Sequence, residues 1–176
     1  MAAVAVADLR IRPARSADAR RVAEIYVASW NLGFVGLLPA RTSDEALVRR
    51  WARDLSVPAP HRWWVAASAG CIAGFAGIRP SRDPADGAAG ELDTIAVDPQ
   101  RWRRGIGRAL MAVALSALRR DGYRHAIVWT LAHYDRGHAF YTATGWVPDG
   151  GTRREGTEAR YRHALGHLQD NAPPAP

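Results

Sequence analysis

The hydrophobic period of the chain changes at Gly105, and this change limits the possible folds more than any other feature. Residues 91–97 (ELDTIAV) alternate in polarity as a strand does, and Pro99 ends that pattern. Beyond Gly105, apolar side chains recur at helical spacing until Gly122. A strand, an arginine-rich turn and a helix therefore follow one another directly.

The rest of the chain predicts an α/β domain built on a mixed, mostly antiparallel sheet. The predicted order is β-α-α-β-β-β-α-β-α-β-β, without internal repeats. The flanking elements are a strand at 9–14, a helix at 17–30 capped by Ser16, a helix within 42–55 capped by Thr42 or Ser43, a hairpin of 62–68 and 71–80, a loop at 79–90, a strand at 125–132, a short helix at 135–144, and strands near 146–150 and 158–165. We expect one domain over residues 8–165 and a disordered tail at 166–176.

The length and composition fit a single domain with one core. The 176 residues are 48% hydrophobic, and Cys71 is the only cysteine, so no intramolecular disulfide can form. A reducing cytoplasm fits this composition best. Residues 1–10 lack the basic region of a signal peptide, and no run reaches the roughly 18 apolar residues of a membrane span. We therefore expect a cytoplasmic protein without a membrane partner.

The charge of the chain is strongly positive, but it does not by itself identify a partner. The formal net charge is +7, and all 24 basic residues are arginine. With abundant alanine and glycine, the lack of lysine is typical of a GC-rich codon habit. Only arginines placed by a motif are therefore informative, and Schiff-base chemistry by a lysine of this chain is excluded.

The turn at 101–107 (RWRRGIG) combines features that suit a phosphate group. The start of the following helix offers unpaired N–H groups and a partial positive charge. Gly105 and Gly107 let the backbone approach an anion, and the arginines add charge-assisted hydrogen bonds. Leu110 stands where a dinucleotide fingerprint needs a third small residue, and the Gly-Lys-Ser/Thr of a nucleotide P-loop is missing. The turn therefore predicts another kind of diphosphate cradle.

Residues 91–110 (ELDTIAVDPQRWRRGIGRAL) resemble the acetyl-CoA signature of the GNAT superfamily of N-acetyltransferases. That signature reads V-x-P, two residues, Arg or Gln, two residues, then G-x-G/A. Four positions fall in register: Val97, Pro99, Gly105 and Gly107. The chain departs from the signature at Trp102, in the Arg or Gln place, and at Arg103, where glycine is frequent.

A second segment, 139–146 (AFYTATGW), resembles the late F-Y-x-x-x-G-F/W segment of the same family. Tyr141 and Gly145 are in register, while Tyr134 and Gly137 replace the Asn and Ala that the family often has upstream. The resemblance implies the GNAT fold, acetyl-CoA as cosubstrate and no metal. The pantetheine amides would pair along the strand as an added edge. The residues implied to contact the cosubstrate are Ile95, Ala96, Val97, Arg103, Arg104, Gly105, Ile106, Gly107, Arg108, Tyr134 and Phe140.

Acetyl transfer to an amine benefits from a base, because a lysine-like amine with a pKa near 10.4 is mostly protonated at pH 7. The resemblance implies Glu91 as that base, and Asp93 on the same face of the strand is the reserve candidate. It also implies Tyr141 as the acid that protonates the departing CoA thiolate. Alternatively, the carboxylates are ordinary polar residues at a strand entrance, and Tyr141 is a core aromatic residue beside Phe140.

Other reactive side chains are more typical of structure than of chemistry. Cys71 lies in the predicted hairpin turn, and we expect a small buried hydrophobe rather than an acetyl carrier. The six histidines lack metal-ligand spacing, and the tryptophans are expected mainly in the core. Segment 29–39 (SWNLGFVGLLP) resembles the part that many small-molecule GNAT members place over the acceptor.

Three functions from different classes stay open at this point. The first is an acyltransferase, an acetyl-CoA-dependent N-acetyltransferase that acts on a small-molecule or peptide amine by direct attack in a ternary complex. The second is a non-catalytic acyl-CoA-binding sensor of the same fold, which turnover would distinguish. The third, a nucleic-acid-binding protein, is disfavoured because the arginines are scattered over every element. We expect no nucleic-acid partner and leave open a homodimer, which is common in the family.

Overall fold

The computed structural model describes residues 9–68 and 70–166 of the chain. Its strands are β1 (Arg10–Pro13), β2 (Arg62–Ser68), β3 (Cys71–Pro80), β4 (Gly90–Val97), β5 (His125–Leu131), β6 (Val147–Arg153) and β7 (Glu158–Ala164). Its helices are α1 (Ala19–Gly33), α2 (Glu45–Asp54), α3 (Ile106–Arg120) and α4 (Asp135–Thr142), with short 3-10 turns at Ser16–Asp18 and Pro99–Arg101. The predicted order and the mixed α/β class are confirmed. From position 167 on, the predicted disordered tail lies outside the described residues.

The seven strands form a mostly antiparallel sheet in the order β1-β2-β3-β4-β5-β7-β6. The pairing of β4 with β5 is parallel and covers Gly90 opposite Ala126 and Glu91 opposite Ile127. Within the described residues, this ladder goes no further along β4. The part of this edge at 94–97 therefore lies beyond the β4–β5 ladder.

The chain forms two compact units. The first comprises the described residues up to Arg79 together with Asp93–Ala112, and the second comprises Pro80–Leu92 together with the described residues from Val113 onward. The single domain over 8–165 stays a prediction. No helix in the described part of the chain is both long and apolar enough to span a bilayer.

The sheet of the first unit is covered on both faces, because successive strand residues point to opposite sides. Val65 packs with the buried residues of α1 and α2, while its neighbour Ala66 packs with Ile106 and Leu110 of α3. A side chain at Gly74 would come within 2.9 Å of the Ala96 carbonyl and 3.1 Å of Leu110. The glycine therefore permits the close packing that fixes the start of α3 against the sheet.

The start of α1 differs from the prediction, because Ser16 does not cap it. Ser16 opens a 3-10 turn, and the residue before the helix is Asp18. The Asp18 carboxylate instead accepts hydrogen bonds of 2.8 Å from the Arg12 guanidinium and from the Arg15 N–H. A charged acceptor next to the helix thus outcompetes the serine hydroxyl for the available donors.

The start of α2 also differs, by one or two positions. Its N-cap is Asp44, whose carboxylate accepts the Leu47 N–H at 2.7 Å, so Thr42 and Ser43 lie outside the helix. One face of this helix packs in the core of the first unit. Trp51 and Leu55 are buried.

The lone cysteine and the tryptophans show how far composition predicts burial. Cys71 is exposed at the first position of β3, so the expectation of a buried hydrophobe is wrong. It is exposed because the hairpin turn holds that end of the strand in solvent. Three tryptophans are buried as expected: Trp51, Trp63 and Trp146. The other four are only partly buried: Trp30, Trp64, Trp102 and Trp129.

Candidate functional site

The turn between β4 and α3 has a backbone shape suited to an anion. Arg103 and Gly105 both have positive φ, 63° and 79°, while Arg104 between them does not. Such alternation of hand turns successive N–H groups toward one side. The Gly105 carbonyl accepts the Ala109 N–H at 3.0 Å, so Gly105 is the N-cap of α3. The N–H groups at the start of α3 therefore have no partner within the helix.

In the described part of the chain, the arginines of this turn lack carboxylate partners, unlike Arg12 and Arg21. Arg12 and Arg21 each bind an aspartate in the same unit. Within the described residues, no carboxylate lies within ion-pairing distance of the four arginines at the turn, which are Arg101, Arg103, Arg104 and Arg108. The last three are exposed. Their charge and the helix dipole therefore add at one place and attract a polyanionic group.

Arg21 of α1 anchors the beginning of the turn. Its guanidinium binds the Asp98 carboxylate and donates to the Ile72 carbonyl at 3.1 Å, and it also pairs with Glu24. Burial lowers the pKa of Arg21, but these carboxylate contacts outweigh it and raise the pKa overall. Asp98 in turn accepts the Gln100 N–H at 3.0 Å, which shapes the Pro99–Arg101 turn. Sequence reasoning missed this anchor, because Arg21 and Asp98 lie 77 positions apart.

Trp102 departs from the family signature, and its side chain contacts the end of β4. Its indole N–H donates to the Val97 carbonyl at 2.7 Å. An aromatic residue thus joins the turn to the end of β4. No pattern in the sequence indicates this bond, because it depends on the path of the turn.

The residues of β4 and α3 that are predicted to contact the cosubstrate differ in burial, which decides whether the side chain or only the backbone can reach a ligand. Ile95–Val97 lie partly buried on β4, and Gly107 is partly buried in the first turn of α3. Ile106 is only 5% exposed and packs in the core with Leu110. Ile106 can therefore offer a ligand its N–H group but not its side chain.

The two candidate bases have different surroundings. Glu91, in the second unit, is 2% exposed, and its carboxylate accepts the Arg82 N–H at 3.2 Å. Asp93, in the first unit, forms an ion pair of 2.8 Å with the buried Arg79 guanidinium. A carboxylate that already holds a buried cation is poorly suited to accept a further proton.

Tyr141 is buried on α4 among aromatic rings of the second unit. Its ring centroid lies 5.7 Å from that of Phe140, 5.7 Å from Tyr161 and 6.1 Å from Trp146. Burial, and to a smaller extent the nearby Tyr134 hydroxyl, raises the pKa of Tyr141 far above its usual range. The phenol therefore keeps its proton at neutral pH.

Tyr134 and Gly137, the two departures upstream of Tyr141, are structurally coupled. Tyr134 is the N-cap residue of α4, and a side chain at Gly137 would come within 2.4 Å of the Tyr134 ring. The tyrosine thus occupies the space of the missing side chain. Burial raises the pKa of Tyr134, against the opposing charge of Arg136.

The fold and the turn identify the class of protein. A family model described as the acetyltransferase (GNAT) family matches residues 19–146, and the chain belongs to this family. The N-acetyltransferase YuaI of Bacillus subtilis, itself uncharacterised, is 27% identical over 122 residues, which are 69% of this chain and 70% of YuaI.

Solved structures share the fold at low sequence identity. The PaiA N-acetyltransferase of Thermoplasma acidophilum, in complex with coenzyme A, has a TM-score of 0.71 at 15% identity, over 89% of this chain and 98% of its own. The acetyltransferase yncA of Salmonella typhimurium, with its cofactor acetyl-CoA, has a TM-score of 0.70 at 21% identity, over 96% of this chain and 99% of its own.

Proposed function

We propose that the protein is an N-acetyltransferase that moves an acetyl group from acetyl-CoA to a primary amine in a ternary complex. The observation that carries the proposal is the turn at 103–105, where a backbone of alternating hand and exposed arginines meet the start of α3. Family membership supports the reaction class, and two structures of the same fold hold coenzyme A or acetyl-CoA.

The residues present fit acetyl-CoA. The N–H groups of 105–108 suit the diphosphate, and Arg103, Arg104 and Arg108 supply charge beside it. The edge of Ile95–Val97, beyond the β4–β5 ladder, suits the amides of the pantetheine arm, with the Val97 carbonyl shared with the Trp102 indole N–H. On α4, Tyr134 and Phe140 are proposed as further contacts.

For the chemistry we propose Glu91 as the base and Tyr141 as the acid. Acetyl-CoA supplies the acetyl group as a thioester, whose C–S bond breaks as the amine nitrogen forms the new C–N bond. Glu91 takes the proton that the amine loses, directly or through water. Tyr141 gives its hydroxyl proton to the departing sulfur, whose electron pair comes from the broken bond. Burial raises the pKa of Tyr141, so the hydroxyl is protonated at neutral pH but is a weaker acid than a free phenol, and its transfer to sulfur depends on the negative charge that develops there.

The decisive experiment measures binding and turnover separately. Calorimetry with acetyl-CoA tests the turn, and a thiol-release assay over small amines and peptides tests the enzyme. Binding with thiol release supports the proposal. Binding without release from any amine would instead support the sensor of the same fold, and a lack of binding would contradict both.

Three conservative variants test the assigned roles. Glu91→Gln should lower kcat/KM by about 100-fold, because it removes the base without changing shape. Asp93→Asn should have a much smaller effect, since Asp93 is engaged with Arg79. Tyr141→Phe should lower kcat far more than acetyl-CoA affinity. Equal losses in both quantities would contradict its role as an acid.

A further inference from the structure

Arg41 lies on an aromatic surface at the end of α1. Its guanidinium carbon is 3.4 Å from the centroid of the Trp30 ring and 5.1 Å from that of Tyr26, and it donates to the Tyr26 hydroxyl. Arg41 is the last residue of the segment 34–41, which we name the strap. Trp30 donates to the Pro39 carbonyl at 3.0 Å.

Asn31 fixes the end of the strap. Its side chain accepts the Arg41 N–H at 2.7 Å and donates to the Arg41 carbonyl at 2.9 Å. The backbone and the guanidinium of Arg41 are therefore both held in place. The position of this cation is set before any ligand arrives.

The charge of Arg41 has no counter-ion in the described part of the chain. The side chain is partly buried, and its only polar partner there is the neutral Tyr26 hydroxyl. Some other arginines of the same unit do have a carboxylate partner, as Arg12 has in Asp18. Partial burial of a cation without a counter-ion is unfavourable, and a bound anion would remove that cost. A guanidinium stacked by its face keeps N–H donors along its edge, which match the two oxygens of a carboxylate.

Arg41 also lies away from the diphosphate turn, on the side where the acceptor amine would have to bind. α1 begins beside the turn, because Arg21 binds Asp98 and the Ile72 carbonyl at the start of β3. Further along the helix, Tyr26 packs on Trp51, which packs on Phe75, three residues beyond Ile72 on β3.

Within the first unit β3 and β4 run in opposite directions, because the Asp98 N–H donates to the Ala73 carbonyl whereas Arg79 pairs with Asp93. α1 therefore extends away from the diphosphate turn and toward the Asp93 end of this part of β4. A pantetheine arm lying on β4 from Val97 toward Ile95 runs the same way. Trp30 is nine residues beyond Arg21, which is about 13 Å along the helix. Arg41 stacks on Trp30, so it lies at the end of α1 that is remote from the diphosphate turn, the end toward which such an arm would run.

We propose that Arg41 receives a carboxylate of the acceptor, so that the amine acetylated by this protein belongs to an α-amino acid. This inference rests on the proposed function and adds the substrate class to it. Three large apolar side chains around the strap are exposed, namely Leu32, Val35 and Leu37. They favour amino acids with apolar side chains.

The test compares each amino acid with the amine that lacks only its carboxylate. The pairs are phenylalanine with 2-phenylethylamine, and leucine with 3-methylbutylamine. For at least one pair, kcat/KM of the wild-type protein should favour the amino acid. In Arg41→Gln, the ratio of the two kcat/KM values should fall by about tenfold or more. Differences in amine pKa cancel when the ratio of the variant is divided by that of the wild type.

Two further variants keep the result independent of folding. Arg41→Lys keeps the charge but not the fork of donors, so its ratio should lie between those of wild type and Arg41→Gln. Arg49→Gln removes one exposed charge from α2 and should leave the ratio as in the wild type. An unchanged ratio in Arg41→Gln would overturn the inference, as would acetylation of amines with no preference for a carboxylate. In both cases the N-acetyltransferase itself would stand, whereas absence of thiol release from every acceptor would count against the proposed function.

Discussion

Arg103 has a backbone conformation that glycine adopts freely and arginine does not. Its φ of 63° lies in the left-handed region, which costs an L side chain about 1 kcal/mol or more. We predict that Arg103→Gly is more stable than Arg103→Ala by about 1 kcal/mol. Both variants remove the charge, and only alanine keeps the strain. Urea unfolding of the two variants measures this difference.

The same two variants separate strain from charge in ligand binding. Both should weaken acetyl-CoA binding by a similar factor, and the loss should shrink at high salt, because salt screens exposed charges. Equal stability of the two variants would show that position 103 is not strained.

Gly137 leaves room for the Tyr134 ring, which is the nearest neighbour that a side chain there would meet. Alanine normally stabilises a helix relative to glycine by about 1 kcal/mol. Here its Cβ would lie 2.4 Å from the Tyr134 ring. We therefore predict that Gly137→Ala lowers the free energy of unfolding in the wild-type chain but raises it in the Tyr134→Asn background. A double-mutant cycle of unfolding free energies measures the change of sign.

Gly87→Ala is the matched control for this cycle. A side chain there meets nothing within 4 Å, so its effect should be the same in the wild-type chain and in the Tyr134→Asn background. A destabilising Gly137→Ala in both backgrounds would mean that another neighbour causes the clash.

A single side chain of α1 holds the turn that follows β4. Removing the Arg21 guanidinium leaves the Asp98 carboxylate without that partner, so the turn loses part of its fixed shape before a ligand binds. We predict that Arg21→Met weakens acetyl-CoA binding by about fivefold or more, measured by calorimetry. Arg20→Met is the control, because Arg20 pairs with an exposed glutamate on α2.

The Asp98→Asn variant shows whether the two residues act as one unit. If they do, the loss in the Arg21→Met/Asp98→Asn double variant should be smaller than the sum of the two single losses. Equal acetyl-CoA affinity of Arg21→Met and Arg20→Met would contradict the anchoring role.

At the scale of helices and strands, the hydrophobic period of the sequence predicted the elements that bury an apolar face. The apolar stripe of α3 predicted a helix from Gly105, and the structure begins it at Ile106. Helix starts were less predictable, because several polar side chains near each start compete for the same N–H groups. Asp44 caps α2 instead of Thr42 or Ser43.

The candidate site likewise has one part that the sequence predicted and another that it did not. The sequence motif located the turn at 101–107, because its backbone shape depends on local residues. The contacts of Arg21 with Asp98 and of Arg41 with Trp30 depend on how distant segments pack, so no local pattern predicts them. The clash between Tyr134 and Gly137 likewise needed the helix in place.

Acid should destabilise the folded protein as a whole, and two carboxylates contribute at low pH. A hydrogen bond from Arg12 lowers the pKa of Asp18. Burial raises the pKa of Asp149, but hydrogen bonds from Arg160 and the Gly151 N–H outweigh it, so the net pKa is lowered. The unfolded chain therefore takes up protons first as the pH falls below about 4, and stability is lost there.

His163 adds an earlier stage of acid destabilisation. Its imidazole packs 5.4 Å from the Trp146 ring, and burial lowers its pKa below 6.5. Between its lowered pKa and 6.5, the unfolded chain binds a proton that the folded chain does not, so stability falls as the pH drops through this window. We predict that His163→Gln reduces the loss of unfolding free energy between pH 7.5 and 5.5, measured with urea. The exposed His133→Gln should keep the full loss, and an equal pH dependence in both variants would show that His163 titrates as it does in the unfolded chain.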